Sequence, residues 1–90
     1  MRKHYQTTDE ERKLLKAIAG NLARQYKNRG VAFGDLIDVG MKGLRRASLK
    51  YNPKSSTMFL IYGAWEMQQA MKQAIAEKKL IHVDKMAIWG

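Results

Sequence analysis

The chain has 90 residues and a mass of 10.4 kDa, enough for one small hydrophobic core but not for two. It carries 17 Lys and Arg against 8 Asp and Glu, a formal net charge of +9, and 46% of its residues are apolar. This apolar share excludes a disordered basic tail, and we expect a single folded domain over residues 1–90. The absence of cysteine excludes disulfides and Cys-based zinc sites and favours a cytoplasmic location.

A folded domain with this much positive charge is expected to bind a polyanion. Nucleic acid is the first candidate, and an anionic membrane surface or an acidic protein is the second. The longest uncharged apolar run, residues 58–65, is too short to cross a bilayer, and the N-terminus lacks the apolar segment of a signal peptide. We therefore expect no secretion and no membrane partner.

The first predicted helix spans residues 8–29 and follows a flexible arm over residues 1–7. Thr8 is placed as the N-cap and Glu11 at the capping-box position, where an acidic side chain also suits the helix dipole. Apolar residues then recur at steps of three and four, namely Leu15, Ile18, Ala19, Leu22, Ala23 and Tyr26. This spacing predicts one amphipathic helix that ends near Gly30.

The second predicted helix spans residues 35–51, and Pro53 ends it because proline cannot continue the hydrogen-bond ladder. Gly40 and Gly43 lie on the apolar side of this helix. Since glycine lowers helix propensity, the pair is best explained by another helix that approaches closely there.

The third predicted helix spans residues 56–79, and residues 80–90 are expected to form a tail with at most a short helical turn. Its start can be capped by any one of Ser55, Ser56 and Thr57. A helical wheel assigns Phe59 to the core and places the core stripe at Leu60, Ala64, Met67, Met71, Ala74 and Ile75. Strand signals are poor, so the predicted fold is all-α, a compact domain of three helices.

Few residues of the chain suit catalysis, and we expect neither an enzyme nor a cofactor. His4 and His82 lie near opposite ends, and no cluster of Ser, His and Asp suggests a nucleophile with its base. Asp35 and Asp38 could share a metal ion. Acidic residues in the first turns of a helix are more often partners of the dipole, so no metal site is predicted.

Large aromatic side chains opposite the core stripe of the third helix are its most informative feature. Tyr62 and Trp65 project there with Gln69 and Gln73, and Lys72 lies beside them. An aromatic ring, an amide and a lysine provide the stacking, hydrogen bonding and phosphate pairing that unstacked bases need. The alternative is structural, with both rings packed under the N-terminal arm, the C-terminal tryptophan or a protein partner.

Each predicted helix carries one motif. The motifs are ARQYKNRG in the first helix, DLIDVGMKGLRRASLKYNP in the second and FLIYGAWEMQQAM in the third. In order and spacing they resemble the second conserved region of bacterial RNA polymerase sigma factors. The resemblance runs without a gap from about Leu14 to Val83. It implies a compact helical domain that binds RNA polymerase core and melts promoter DNA.

The resemblance also implies roles for individual residues. The second helix would dock on the clamp helices of the large polymerase subunit through Asp35, Leu36, Ile37, Asp38, Lys42, Leu44, Arg45 and Arg46. The third helix would hold the nontemplate strand of the minus-ten element, with Tyr62 on the flipped adenine, Trp65 at the upstream edge of the bubble and Gln69 near the first base pair. The predicted DNA-binding set is Tyr62, Trp65, Gln68, Gln69, Lys72, Gln73, Lys78 and Lys79.

Several positions depart from the pattern that the resemblance implies. Asp38 and Val39 replace the usual Gln-Glu pair, Glu66 replaces a second tryptophan, and Gln68 replaces an arginine. Leucine and isoleucine at residues 60–61 replace Ser-Thr. These changes favour a second hypothesis, an interaction protein that occupies the polymerase clamp or captures a sigma antagonist without reading DNA.

A sigma factor normally has a separate helix-turn-helix domain that reads the minus-thirty-five element, and 90 residues leave no room for it. We therefore interpret the chain as a fragment, as one half of a split sigma factor, phage-borne in one version of this hypothesis, or as a degenerate relative. Besides polymerase core and promoter DNA, a helix-turn-helix sigma fragment is a candidate partner.

Overall fold

A computed structural model describes the backbone of residues 5–89 and the side chains of residues 5–78. Within this part of the chain the regular structure consists of three α-helices, and no strand is present. Their bounds are α1 Asp9–Tyr26, α2 Phe33–Lys50 and α3 Phe59–Trp89. The predicted all-α fold is confirmed.

Two reciprocal hydrogen bonds begin α1. The Thr8 hydroxyl accepts from the Glu11 N–H at 3.1 Å, and the Glu11 carboxylate accepts from the Thr8 N–H at 2.9 Å, which is the predicted capping box. The helix ends at Tyr26, three residues before the predicted bound. It ends there because the connecting segment turns through Asn28 and Gly30, whose φ angles of 67° and 97° lie in the left-handed region.

The second helix, α2, begins at Phe33, two residues before the predicted bound. Ala32 precedes it in an extended conformation and offers no side-chain cap. The helix ends at Lys50, and the Tyr51 N–H still donates to the Ala47 carbonyl at 2.9 Å.

The first turn of α3 is closed by Met58, whose carbonyl accepts from the N–H groups of Ile61 and Tyr62 at 3.1 Å each. The helix therefore starts at Phe59, three residues later than predicted. The preceding serines and threonine build the turn instead, since the Ser55 hydroxyl accepts from the Thr57 N–H at 3.1 Å.

At its other end α3 continues to Trp89, through most of the segment that was predicted as a tail. No proline or glycine occurs between residues 64 and 89, so nothing in the sequence interrupts the ladder there. Among the residues described, no helix combines the length and apolarity needed to cross a membrane.

Contacts between the helices set their directions. Leu44 of α2 lies beside Gly63 of α3, and Gly40 lies beside Met71, so these two helices run antiparallel. The core has two parts, one near each end of the helix bundle. The first comprises Leu15, Ala19, Ala47, Phe59 and Met67, and the second comprises Ala23, Leu36, Met71 and Ile75.

Small residues bring α2 and α3 into close contact. A Cβ added at Gly43 would lie 2.9 Å from both the Ala70 Cβ and the Glu66 carbonyl oxygen. One added at Gly40 would lie 2.6 Å from the Met71 Cε. The close approach predicted from the two glycines is confirmed, and we call this contact the glycine seam.

The buried stripe of α3 differs in part from the helical-wheel prediction. Met67, Met71 and Ile75 are buried as predicted, and Phe59 belongs to the core. Gly63 and Ala70 are also buried, whereas the predicted core residues Leu60, Ala64 and Ala74 are only half-buried. The stripe is rotated because α2 approaches α3 over Gly63 and Ala70 rather than over Leu60.

The segment before α1 is held against the core. The Tyr5 N–H donates to the Ser48 carbonyl at 2.8 Å, and the Tyr5 ring stacks on Phe59 with centroids 4.3 Å apart. Burial, and then its hydrogen bond to the Glu11 carboxylate, raise the pKa of the Tyr5 hydroxyl. The predicted flexible arm is therefore ordered from Tyr5 onward, and its first four residues lie outside the described part of the chain.

Candidate nucleic-acid interface

The outward face of α3 carries exposed apolar and aromatic side chains. Trp65 is 52% exposed, and it follows Met58 and Ile61, which are 63% and 60% exposed, at helical spacing. Lys72 is exposed two turns further along the helix. Trp65 thus presents much of its ring to solvent, as the helical wheel predicts.

Tyr62 differs from that prediction because it is half-buried. Its ring lies 5.8 Å from the ring of Tyr51, at an interplanar angle of 31°. The Tyr51 hydroxyl donates to the Thr57 carbonyl at 2.7 Å, which fixes the second ring. Burial, with a smaller effect of the nearby Glu66 carboxylate, raises the pKa of the Tyr62 hydroxyl.

A cavity of about 320 Å³ opens beside these two rings. The turn between α2 and α3 forms its polar side, and the Asn52 carboxamide oxygen is already engaged there by the Lys54 N–H at 3.0 Å. The cavity is lined by Lys50, Tyr51, Asn52, Ser55, Thr57 and Tyr62. Of these, only Tyr62 was assigned to DNA binding from the sequence. Tyr51 comes directly before a polar turn, and Tyr62 lies in the first turn of the helix that follows. This pair of tyrosines is the sequence signal that could have indicated the cavity.

The remaining residues of the predicted DNA-binding set divide into two groups. Lys72, Gln73 and Lys78 are exposed, and Gln73 donates to the Glu77 carboxylate at 3.2 Å. Gln69 is half-buried on the same helix. The side chain of Lys79 lies outside the described residues.

Gln68 has a partner inside the protein. Its side-chain amide donates to the Tyr26 hydroxyl at 3.0 Å and so connects α3 to α1 across 42 positions of sequence. The Tyr26 ring also lies under the Arg29 guanidinium, 5.6 Å from it. Half-buried and bonded in this way, Gln68 is held toward α1 rather than beside Trp65.

The outward face of α2 carries most of the residues predicted to bind polymerase core. Its exposed members are Asp35, Asp38, Lys42, Arg45 and Arg46, while Ile37 and Leu44 are half-buried. Leu36 is fully buried in the core, so it can support this surface only from inside. Leu49 is 40% exposed and lies one turn beyond Arg45, a position that the sequence reasoning missed.

These surfaces define a small basic helical module with exposed aromatic, amide and lysine groups on one helix, a combination suited to single-stranded nucleic acid. The chain is 40% identical over 58 residues to RNA polymerase sigma factor SigA of Nostoc sp., a match that covers 64% of this chain and 15% of the relative. SigA of Microcystis aeruginosa is 40% identical over 58 residues, 64% of this chain and 14% of the relative.

A plant relative is also similar. The chloroplastic RNA polymerase sigma factor sigF of Arabidopsis thaliana is 36% identical over 55 residues, 61% of this chain and 10% of the relative. The resemblance to sigma factors is therefore confirmed. The chain spans 10–15% of the length of these curated relatives. No protein-family model matches it.

Proposed function

We propose that this protein acts in transcription initiation as a sigma-like module that binds RNA polymerase core and single-stranded DNA of the minus-ten element. The observation that supports the proposal most is the exposed Trp65 near the tyrosine-lined cavity, on a chain similar to RNA polymerase sigma factors. Catalysis of a reaction is not part of this function.

The chemistry of α3 suits unpaired bases. Trp65 offers a ring face on which a base stacks, and the cavity beside Tyr62 accepts a second base between aromatic and polar walls. Lys72 and Lys78 pair with phosphates along the helix. Stacking contributes about 1–3 kcal/mol per base, which offsets the opening of one base pair but not of a long stretch.

The outward face of α2 would bind polymerase core. It presents charges of both signs, Asp38 beside Lys42 and Arg45, with the exposed apolar side chain of Leu49 at the same face. Charges of both signs fix the register of a partner helix, and an apolar contact among them adds affinity. RNA polymerase is named in the description of each relative above, which supports it as the partner.

The test is a titration of labelled single strands of minus-ten sequence, with and without polymerase core. A double variant, Tyr62→Ala with Trp65→Ala, is expected to lose most of its affinity, whereas Leu14→Ala, an exposed apolar change on α1, keeps it. Lys72→Ala should weaken binding to all DNA sequences alike and reduce the salt dependence of the binding constant by about one released counterion. Equal affinity of the double variant and the parent protein would contradict DNA binding by this face.

A second candidate function is an interaction protein that binds polymerase core or a sigma antagonist without reading DNA. The Glu66 carboxylate next to Tyr62 favours it, because negative charge beside a base site repels phosphate. Capture of polymerase core without protection of an open promoter bubble would support this alternative. Protection of the bubble would exclude it.

The small number of base contacts implies a further partner. Specific promoter choice among roughly 10⁶–10⁹ competing genomic sites needs several well-separated base contacts, more than one such face provides. A second polypeptide with a helix-turn-helix, held on the same polymerase, would raise the effective affinity by about 10²–10⁴. Run-off transcription with core and this chain alone should give no specific start, and strong specific initiation would contradict the proposal.

A further inference from the structure

One side of α1, outside its buried face, carries a line of cations. Positions 13, 17, 20, 24 and 27 follow one another at steps of three and four, so they share this side of the helix. Lys13 and Arg24 are exposed there, and the exposed Lys27 follows directly after the helix end. We call these three residues, together with Ala17 and Gly20, the α1 stripe.

The middle of the α1 stripe is open to solvent. Ala17 is exposed, and a Cβ added at Gly20 would find no neighbouring atom within 4 Å. A long polyanion can therefore lie close to the helix backbone between the cations. From Lys13 to Lys27 the stripe is about 21 Å long, at about 1.5 Å per residue. Duplex DNA carries one negative charge per about 1.7 Å of its axis, so several phosphates lie within this length.

The charge of the α1 stripe is not neutralised by carboxylates. The sequence contains no Asp or Glu over residues 12–34. The acidic residues of α1 lie in its first turn, before the stripe, and Asp9 there pairs with Arg12. The Arg24 guanidinium donates to the Asn21 carboxamide oxygen at 2.9 Å, a neutral partner that leaves its positive charge in place. The stripe therefore presents three positive charges along one side of a helix.

The composition of the α1 stripe suits the phosphate backbone of a duplex. None of its five residues is aromatic, so it offers no ring on which an unpaired base stacks. Alanine and glycine provide no large apolar anchor for a protein interface or a lipid layer. In a duplex the bases are paired inside and the phosphates lie outside, so cations alone are sufficient for binding that does not depend on sequence.

We propose that the α1 stripe binds the phosphate backbone of double-stranded DNA, at a second nucleic-acid site separate from the outward face of α3. Lys13, Arg24 and Lys27 each pair with a phosphate, and the strand passes over Ala17 and Gly20. The choice of DNA as the duplex rests on the proposed function, because duplex promoter DNA adjoins the strand that α3 would hold. The surfaces proposed above do not include these residues, so the two proposals can fail separately.

The probe is a short labelled DNA duplex without a minus-ten sequence, titrated at several salt concentrations. The stripe variant replaces Lys13, Arg24 and Lys27 with glutamine. At about 0.1 M salt its affinity should be lower by about 10²-fold, because about three released counterions are lost. The slope of log affinity against log salt should become shallower by about 2.7, at about 0.9 per phosphate. Unchanged duplex affinity of the stripe variant would overturn the proposal.

A charge-restored variant separates the position of the cations from the net charge. It keeps the three glutamines and adds Leu14→Lys, Asn21→Lys and Gln25→Lys, exposed positions on another side of α1 that bring the net charge back to +9. Its duplex affinity should stay close to that of the stripe variant, and circular dichroism should show equal helix content in both. Recovery of the parent affinity would reduce the effect to general charge attraction and overturn the proposal.

Two further measurements locate the contact. Ala17→Glu should weaken duplex binding more than Ala17→Gln, which has nearly the same size without the charge. In the unmutated protein the duplex should shift the amide resonances of Ala17 and Gly20 in NMR spectra, and absence of those shifts at saturation would overturn the proposal.

The last comparison separates this site from the face of α3. The double variant Tyr62→Ala with Trp65→Ala should keep its affinity for the duplex, even where it loses the single strand. Loss of duplex binding in this double variant would assign the duplex to α3 and overturn the proposal. Tighter binding of an RNA duplex of the same sequence would overturn the choice of DNA.

Discussion

Gly43 in α2 faces the backbone of Glu66 in α3 so closely that a Cβ at position 43 would lie 2.9 Å from the Glu66 carbonyl oxygen. That oxygen belongs to the helix backbone and cannot move aside as a flexible side chain can. The cost of a glycine inside a helix, about 1 kcal/mol, is therefore offset by the close packing that the missing side chain permits.

Alanine at the glycines should change stability in opposite directions. Gly43→Ala is expected to lower the free energy of unfolding by about 1–3 kcal/mol, because the two helices must separate. Gly20→Ala, where nothing lies within 4 Å of the added Cβ, should raise it by up to about 1 kcal/mol through helix propensity. Gly40→Ala meets only the end of the Met71 side chain and should cost less than Gly43→Ala. Urea unfolding followed by circular dichroism measures the free energy of unfolding of all three variants. If Gly43→Ala leaves this free energy unchanged, the glycine seam does not determine stability.

The hydrogen bond between Gln68 and Tyr26 separates a structural role of Gln68 from the predicted DNA contact. Gln68→Ala and Tyr26→Phe are each expected to lower the free energy of unfolding by about 1 kcal/mol. Their combination should cost less than the sum, since both remove the same bond. Gln69→Ala serves as the matched control and should weaken oligonucleotide binding without a comparable loss of stability. The reverse pattern, with Gln68→Ala weakening DNA binding at unchanged stability, would assign Gln68 to DNA.

Alkaline pH should destabilise the protein through Tyr5. The unfolded chain ionises this hydroxyl near its ordinary pKa of 10.0, while the folded protein has a raised pKa. The unfolded state therefore loses the proton first, so the stabilisation is fully present below pH 10.0 and is lost as the pH rises through the folded pKa. Tyr5→Phe should remove this part of the pH dependence in urea unfolding, and the contribution of Tyr62 has the same sign and remains. If the free energy of unfolding of Tyr5→Phe falls equally steeply as the pH rises, Tyr5 is not the source of the alkaline destabilisation.

Local patterns allowed much of the fold to be predicted. The capping box of Thr8 and Glu11 needs only residues three positions apart, and the glycine pair of α2 has few explanations other than a close neighbour. The outward position of Trp65 follows from helical periodicity. Each of these signals lies within a few residues of sequence.

The features that the sequence did not predict depend on which helix packs where. Gly63 and Ala70 are buried because α2 approaches over them, and neither residue carries a hydrophobic signal strong enough to indicate a core. The partial burial of Tyr62 and its cavity depends on the path of the turn beside Tyr51. The partner of Gln68 lies 42 positions away, a separation at which periodicity gives no information.

The glycine seam joins α2 and α3 into a tightly packed helical hairpin. The remaining helix, α1, packs against this hairpin through side chains such as Leu15. Local opening should release α1 first, because α1 packs on the hairpin through side chains and not through a close backbone approach such as that of Gly43 to Glu66. An opened molecule would still present Trp65 and the outward face of α2, both carried by the hairpin. It would lose the cavity of about 320 Å³ between α1 and α2, which Arg12 and Lys16 of α1 line on one side. A ligand that contacts both α1 and the hairpin would therefore stabilise the whole fold against this opening, whereas DNA bound to α3 alone would not.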